Sequence, residues 1–227
     1  MFLRKSCWLP VVALCCLLAT VSAQGADVGE AQDVSIPGTG LTLHVPTGVV
    51  VSPEKPDTPR VATLSVKVET IESFRRNGVV SVADVLAQRA ALANGHAKVV
   101  DGWEEAGLAD IVTLPTGGYA VIYPFYREFE SCDLRFTMNA VFFVGNRRVT
   151  IRYSVPPTAI IMEDPLFFGH DRANCGEGVI WKHPKTDDML KRFHEAVKSG
   201  RLGPAANAWY ADFTSILASL RQKIPAR

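Results

Sequence analysis

Residues 134–155, LRFTMNAVFFVGNRRVTIRYSV, read as two long β-strands joined by a tight turn. Apolar side chains recur at every second position in both halves, which is the period of strands with one buried face. Gly145 and Asn146 separate the halves and tolerate a positive φ, so the chain can reverse there and pair its strands antiparallel. The sequence therefore predicts a hairpin at the centre of a sheet.

Similar alternation predicts further strands before the hairpin. They are expected at 34–36, 41–45, 61–70, 109–114 and 119–125. His44 falls on the side opposite the apolar residues of its strand and is expected to be exposed. Five aromatic residues are expected in the core, with the lining of a ligand pocket as the alternative: Tyr119, Tyr123, Phe125, Tyr126 and Phe129.

Two long helices are expected besides a short one over about 186–199. Ser81 can cap a helix over 82–93, with Asp84 three residues further on, until Asn94 and Gly95 end it. An apolar stripe at helical spacing predicts a second helix that packs across a sheet until Pro225 stops it. The stripe consists of Trp209, Phe213, Ile216, Leu217, Leu220 and Ile224. The predicted fold class is α+β, an antiparallel sheet flanked by helices.

The N-terminal residues have the pattern of a secretory leader. Arg4 and Lys5 precede an apolar run of about 14 residues, too short to span a bilayer as a helix, and Ala23 ends a small-residue cleavage pattern. The sequence predicts a signal peptide over 1–23, a flexible start over 24–33 and one domain over 34–227. We expect a periplasmic protein without a stable membrane anchor; the alternative of a lipid anchor at Cys15 or Cys16 is disfavoured by Leu14.

After cleavage two cysteines remain, Cys132 and Cys175. In an oxidising compartment they most simply form one disulfide, closing a loop of about 42 residues and stabilising the fold by roughly 3–4 kcal/mol. A metal-binding or catalytic thiol is the alternative. The whole chain has 24 basic and 23 acidic side chains. A balance so close to neutral gives no electrostatic reason to bind nucleic acid or an anionic membrane.

Residues 156–204 are the least regular part of the domain, and long irregular segments are often functional. Adjacent carboxylates there, such as Glu163 and Asp164, are expected to be solvated. Aromatic, arginine and histidine residues in this excursion and in the loop after the strand at 61–70 are candidate partner-binding residues. They are Phe74, Arg75, Arg76, Phe167, Phe168, His170 and Arg172.

No motif for catalysis or cofactor binding is recognised. The nucleophile elbow GxSxG and a phosphate-binding glycine loop are both missing from the sequence. Candidate metal ligands lack the compact spacing of a zinc site: His170, Asp171, Cys175, His183 and His194. We therefore predict a protein that is not an enzyme and has no metal or cofactor, with a hydrolase or metal-dependent enzyme using His170 and His183 as the alternative.

The order of elements and the closing segment WYADFTSILASL at 209–220 resemble the Mog1/PsbP-type α/β sandwich. The resemblance covers roughly 34–155 and 205–224 and implies a binding or assembly module. In size, export and lack of catalytic motifs the chain is also similar to periplasmic immunity proteins. That resemblance implies a protein partner, a secreted antibacterial toxin such as a lipase, whose active site the chain would cover. A carrier of a small apolar ligand is a further alternative.

Overall fold

The computed structural model describes residues 30–52, 61–73, 75, 78–93, 109–128, 134–156, 160, 163, 195–196 and 199–223. For residues 92–93, 125–128 and 134–136 it describes the backbone alone. The strands are β1 Gln32–Ile36, β2 Leu41–Val45, β3 Val49–Val51, β4 Ala62–Thr70, β5 Asp110–Thr113, β6 Tyr119–Glu128, β7 Leu134–Val144, β8 Arg147–Val155 and β9 Arg221–Gln222. The helices are α1 Val82–Ala93 and α2 Pro204–Ala218, and a 3-10 turn spans Ile71–Ser73.

Six strands form the main sheet in the order β3-β4-β8-β7-β6-β5, and β1, β2 and β9 form a smaller sheet. The predicted hairpin is confirmed, because β7 and β8 occupy the two central positions and reverse at Gly145, which has φ 57°. The α+β class is confirmed as well. One pair departs from the antiparallel rule: β3 runs parallel to β4 at one edge of the sheet.

The principal core lies between one face of the main sheet, α2 and the small sheet. Phe142 and Tyr153 from the hairpin meet Trp209 and Phe213 from α2 there, all at most 2% exposed. The Tyr153 hydroxyl donates to the Asp212 carboxylate of α2 at 3.3 Å. Burial, and secondarily this carboxylate, raise the pKa of Tyr153, so the phenol stays protonated and ties the helix to the central strand.

On β7 the opposite face of the hairpin is also buried, so the prediction of a single buried face was wrong for this strand. Thr137, Asn139 and Val141 alternate with the core residues of β7 yet are at most 4% exposed. The reason is a second, smaller core, in which α1 packs over β6 and β7. Strand β7 is therefore covered on both faces, which polar residues in the alternating pattern had concealed.

Other differences concern the chain ends and one aromatic residue. Strand β1 begins at Gln32, within the segment predicted to be flexible, because Gln32 pairs with Val45. Helix α2 ends at Ala218, not near Pro225, because Arg221–Gln222 pair with β2. Tyr119, predicted in the core, is 59% exposed because it stands at the first position of β6, directly after the turn at 115–118.

The irregular excursion contributes a helix cap. Glu163 accepts hydrogen bonds from the N–H of Ala205 at 2.7 and 2.8 Å, in the first turn of α2. A carboxylate at this position satisfies a free N–H and interacts favourably with the helix dipole. A Cβ at Gly203 would lie 2.7 Å from Glu163 Oε2, so a side chain there would require the carboxylate to move. Glu163 is exposed as predicted, but its carboxylate has a structural partner.

Candidate functional site

The α1 side of the main sheet is divided into an apolar and a polar half. Helix α1 packs over β6 and β7, where Val85 meets Val121 and Val141. Its start is fixed as predicted, because Asp84 N–H donates to Ser81 Oγ at 3.2 Å while Asp84 Oδ2 accepts from Val80 N–H at 3.1 Å. Beyond α1, β4 and β8 present polar side chains on the same face.

We call this polar half the arginine face. It consists of Ser65, Lys67 and Glu69 of β4, Asn139 of β7, and Arg148 and Arg152 of β8. The positions share one face because the register places them opposite one another on neighbouring strands and side chains alternate along each strand. Arg148 and Arg152 thus stand on β8, one of the two central strands of the main sheet.

One row of hydrogen-bonding side chains crosses four strands. Arg152 stands opposite Ser65 of β4 and opposite Asn139 of β7, and Asn139 in turn stands opposite Tyr123 of β6. Asn139 is 4% exposed, whereas Arg152 and Ser65 are half-buried. Directly opposed residues in an antiparallel pair have Cα atoms about 4.5–5.5 Å apart. A hydroxyl, a guanidinium and an amide are therefore neighbours in this row.

The second arginine has a different electrostatic setting. Arg148 stands opposite Glu69, which pairs with Lys67 at 2.9 Å. Burial lowers the pKa of Arg148, Tyr123 and Glu69 act to raise it, and Arg152 lowers it further. The guanidinium remains charged at any physiological pH, because an arginine side chain keeps its proton throughout that range. Arg148 is thus balanced by an acid within the fold.

A cation–π pair borders the arginine face. The Arg89 guanidinium of α1 lies 4.1 Å from the centre of the Tyr123 ring. Such stacking holds the planar guanidinium in one orientation and contributes about 0.5–2 kcal/mol. Tyrosine and arginine are the residue types that most often anchor protein interfaces. The arginine face can therefore bind anionic groups by charge-assisted hydrogen bonds from preorganised donors.

Of the predicted partner-binding residues, Arg75 alone falls in the described part of the chain. It is exposed, and its carbonyl accepts from Gly78 N–H at 3.2 Å. Ile71 N–H donates to Asn146 O at 2.9 Å, so the loop that carries Arg75 adjoins the β7–β8 turn, two residues from Arg148. Phe74, Arg76, Phe167, Phe168, His170 and Arg172 lie outside the described residues, as do Cys132 and Cys175.

Sequence reasoning missed Arg148, Arg152 and Lys67. The signal was present: Arg148, Thr150 and Arg152 alternate with the buried Val149, Ile151 and Tyr153, which places both arginines on one face of a central strand.

A second polar cluster joins the three strands of the small sheet. Asp33 accepts from His44 Nδ1 at 3.1 Å and from an Arg221 guanidinium nitrogen at 2.5 Å. Ser219 Oγ accepts from the His44 backbone N–H at 2.8 Å and donates to Ile216 O at 2.6 Å. The serine hydroxyl therefore serves backbone groups rather than the imidazole ring. This Asp-His-Ser set connects neighbouring strands, and His44 is exposed, as predicted.

The Asp33 cluster predicts an acid-dependent loss of stability. Hydrogen bonds from His44 and then Arg221 hold the pKa of Asp33 below its ordinary value. A carboxyl with a lowered folded pKa stabilises the fold above its unfolded pKa, about 3.9, and loses that contribution as pH falls through the folded pKa. The free energies of unfolding of wild type and Asp33→Asn in urea should differ at pH 7, and the difference should shrink as pH falls below about 4, through the lowered pKa of Asp33. A stability difference between wild type and Asp33→Asn that does not change with pH would contradict a stabilising role of the ionised carboxylate. So would a difference that is equally large when Arg221→Gln is present in both proteins.

Within the described ranges no helix is long and apolar enough to cross a membrane, and no three His, Cys, Asp or Glu side chains are grouped as metal ligands. The metal candidates His170, Asp171, Cys175, His183 and His194 lie outside those ranges.

A scan against protein-family models gives no match, and a search of curated proteins gives no relative. Among solved structures, the chain is similar to the Saccharomyces cerevisiae Ran-binding protein Mog1p. The TM-score is 0.41 and the identity 12%, over 86% of this chain and 96% of that chain. The Mog1-like resemblance of fold predicted from the element order is thus found as a weak structural resemblance. It concerns the fold alone.

Proposed function

We propose that this chain is an exported protein-binding module that engages its partner through the arginine face. The observation that carries the proposal is the placement of Arg148 and Arg152 on the central strand β8, half-buried and bordered by the Arg89–Tyr123 pair. Arginines fixed on a rigid sheet lose little side-chain freedom on binding, which favours affinity. The proposal assigns no reaction and no cofactor to the chain.

Its most concrete form is an immunity protein that acts in the periplasm. The predicted leader at 1–23 supports export to the periplasm. The near-equal numbers of basic and acidic side chains, 24 and 23, argue against nucleic acid as the partner. A toxin such as a lipase is the proposed partner, and the arginine face would cover the toxin's active site. Arg75 extends the same surface, because its loop adjoins the β7–β8 turn.

Export and stoichiometric capture test the proposal together. The full chain is expressed with its own leader and a C-terminal tag, and the periplasm is released by osmotic shock. The tagged chain is isolated once with the predicted Cys132–Cys175 disulfide intact and once after a reducing agent has been added. We expect a mature chain beginning near Gln24 and one partner in stoichiometric amount. A tagged chain that stays in the cytoplasm would contradict the export. A periplasmic chain without any stoichiometric partner would contradict the binding function and would favour the enzyme or the apolar-ligand carrier.

A further inference from the structure

The two arginines of the arginine face differ in whether an acidic side chain of the fold lies opposite them. Arg148 stands opposite Glu69, whose carboxylate also forms an ion pair with Lys67. Arg152 stands between two neutral side chains, Ser65 and Asn139. Within the described residues, ion pairs are found for Lys67, His44 and Arg221 but not for Arg152. Arg152 is therefore the cation of this face whose charge is left for a partner.

The neighbours of Arg152 are suited to an anion that accepts several hydrogen bonds. A guanidinium has five N–H donors, an amide has two and a hydroxyl has one. The Arg152 backbone lies about 5 Å from that of Ser65 on one side and from that of Asn139 on the other, so the guanidinium can share one bound group with either neighbour. Asn139 is 4% exposed, and an amide in so buried a place is costly unless it is hydrogen-bonded. A carboxylate, with two oxygens and about four acceptor sites, matches this donor set.

We infer that Arg152, Ser65 and Asn139 form a carboxylate-binding site that receives an Asp or Glu side chain from an acidic polypeptide segment of the partner. This rests on the binding function proposed above and names the chemistry of the partner. Lys67, whose side chain is 63% exposed, adds charge at the rim. A nucleic acid presents a continuous row of phosphates, whereas this site offers its donors to one discrete carboxylate.

A synthetic peptide provides the probe. Fluorescein-labelled, end-blocked peptides of eight residues, with Glu alternating with Ser, are titrated with the mature protein at low ionic strength. We expect saturable binding that weakens as salt is raised, because the Debye length falls to about 10 Å at 0.1 M. Replacing Glu with Gln in the peptide should abolish it. Absence of wild-type binding at millimolar protein would overturn the inference.

Variants assign the effect to Arg152. Arg152→Glu should weaken peptide binding at least tenfold. Arg152→Lys keeps the charge but loses the bidentate hydrogen bonding of a guanidinium, so its affinity should lie between those of wild type and Arg152→Glu. Arg201→Glu makes the same charge change at an exposed position before α2 and should bind within twofold of wild type. Equal melting temperatures would show that the variants are folded. Unchanged affinity in Arg152→Glu would overturn the inference, as would equally tight binding of a single-stranded oligonucleotide of the same charge.

Failure of this site is distinguishable from failure of the proposed function. A periplasmic partner captured equally by wild type and Arg152→Glu would overturn the carboxylate site and leave the binding module standing. Peptide binding that depends on Arg152, with no stoichiometric partner for the wild-type chain, would support the anion chemistry and overturn the proposed function.

Discussion

Replacing Phe142 with alanine is expected to lower the free energy of unfolding by about 3–5 kcal/mol. Phe142 lies on β7 in the principal core and is 1% exposed. Its removal loses the transfer free energy of the ring and leaves a cavity that the rigid central strands cannot fill. Since domains of this size are stable by about 5–15 kcal/mol, the loss is a large fraction of the total. Urea unfolding measures it.

Tyr119→Ala is the matched control for that experiment. It also removes an aromatic ring from a strand of the main sheet, but Tyr119 is 59% exposed, so the cost should stay within about 0.5 kcal/mol. If Phe142→Ala does not fold, Phe142→Leu leaves a smaller cavity and should show an intermediate loss. Equal costs at positions 142 and 119 would contradict the assignment of core and surface.

Thr137→Val is expected to cost about 1–3 kcal/mol although it preserves the shape of the side chain. Thr137 Oγ1 and Ser154 Oγ are hydrogen-bonded at 2.8 Å between the two central strands. They are 2% and 6% exposed, so removing one hydroxyl leaves the other buried without this bond. Ser154→Ala should cost a similar amount for the same reason.

The double variant Thr137→Val, Ser154→Ala should be more stable than the sum of the single variants predicts. With both hydroxyls gone, no polar group is left without the bond, and the apolar pair can be nearly neutral. A double-mutant cycle in urea gives the coupling free energy, expected at about 1 kcal/mol or more. Strict additivity would show that the two hydroxyls do not depend on each other.

The parts of the fold that local sequence determines were predicted correctly. The hairpin follows from alternation and from Gly145, which supplies the positive φ of the turn. The start of α1 follows from Ser81 and Asp84, whose mutual hydrogen bonds need no tertiary contact. Such features depend on residues close together in the chain, so their pattern is readable without the structure.

The features that the sequence did not predict depend on contacts between residues far apart in the chain. Helix α2 ends at Ala218 because β9 pairs with β2, although the apolar stripe continues. The carboxylate that accepts a hydrogen bond from the first turn of α2 belongs to Glu163, which is 42 residues away in sequence from its partner Ala205. The arginine face depends on strand register, which places Ser65 and Asn139 beside Arg152. Alternation shows which side of β8 carries Arg152 but not which residues flank it.

The most direct test of the account compares three tagged chains in the same periplasmic extract: wild type, Arg152→Glu and Arg201→Glu. The amount of stoichiometric partner retained by each is measured at equal bait. The account predicts that wild type and Arg201→Glu retain the same partner equally, whereas Arg152→Glu retains at most a tenth as much. Equal retention by all three chains would contradict binding through the arginine face.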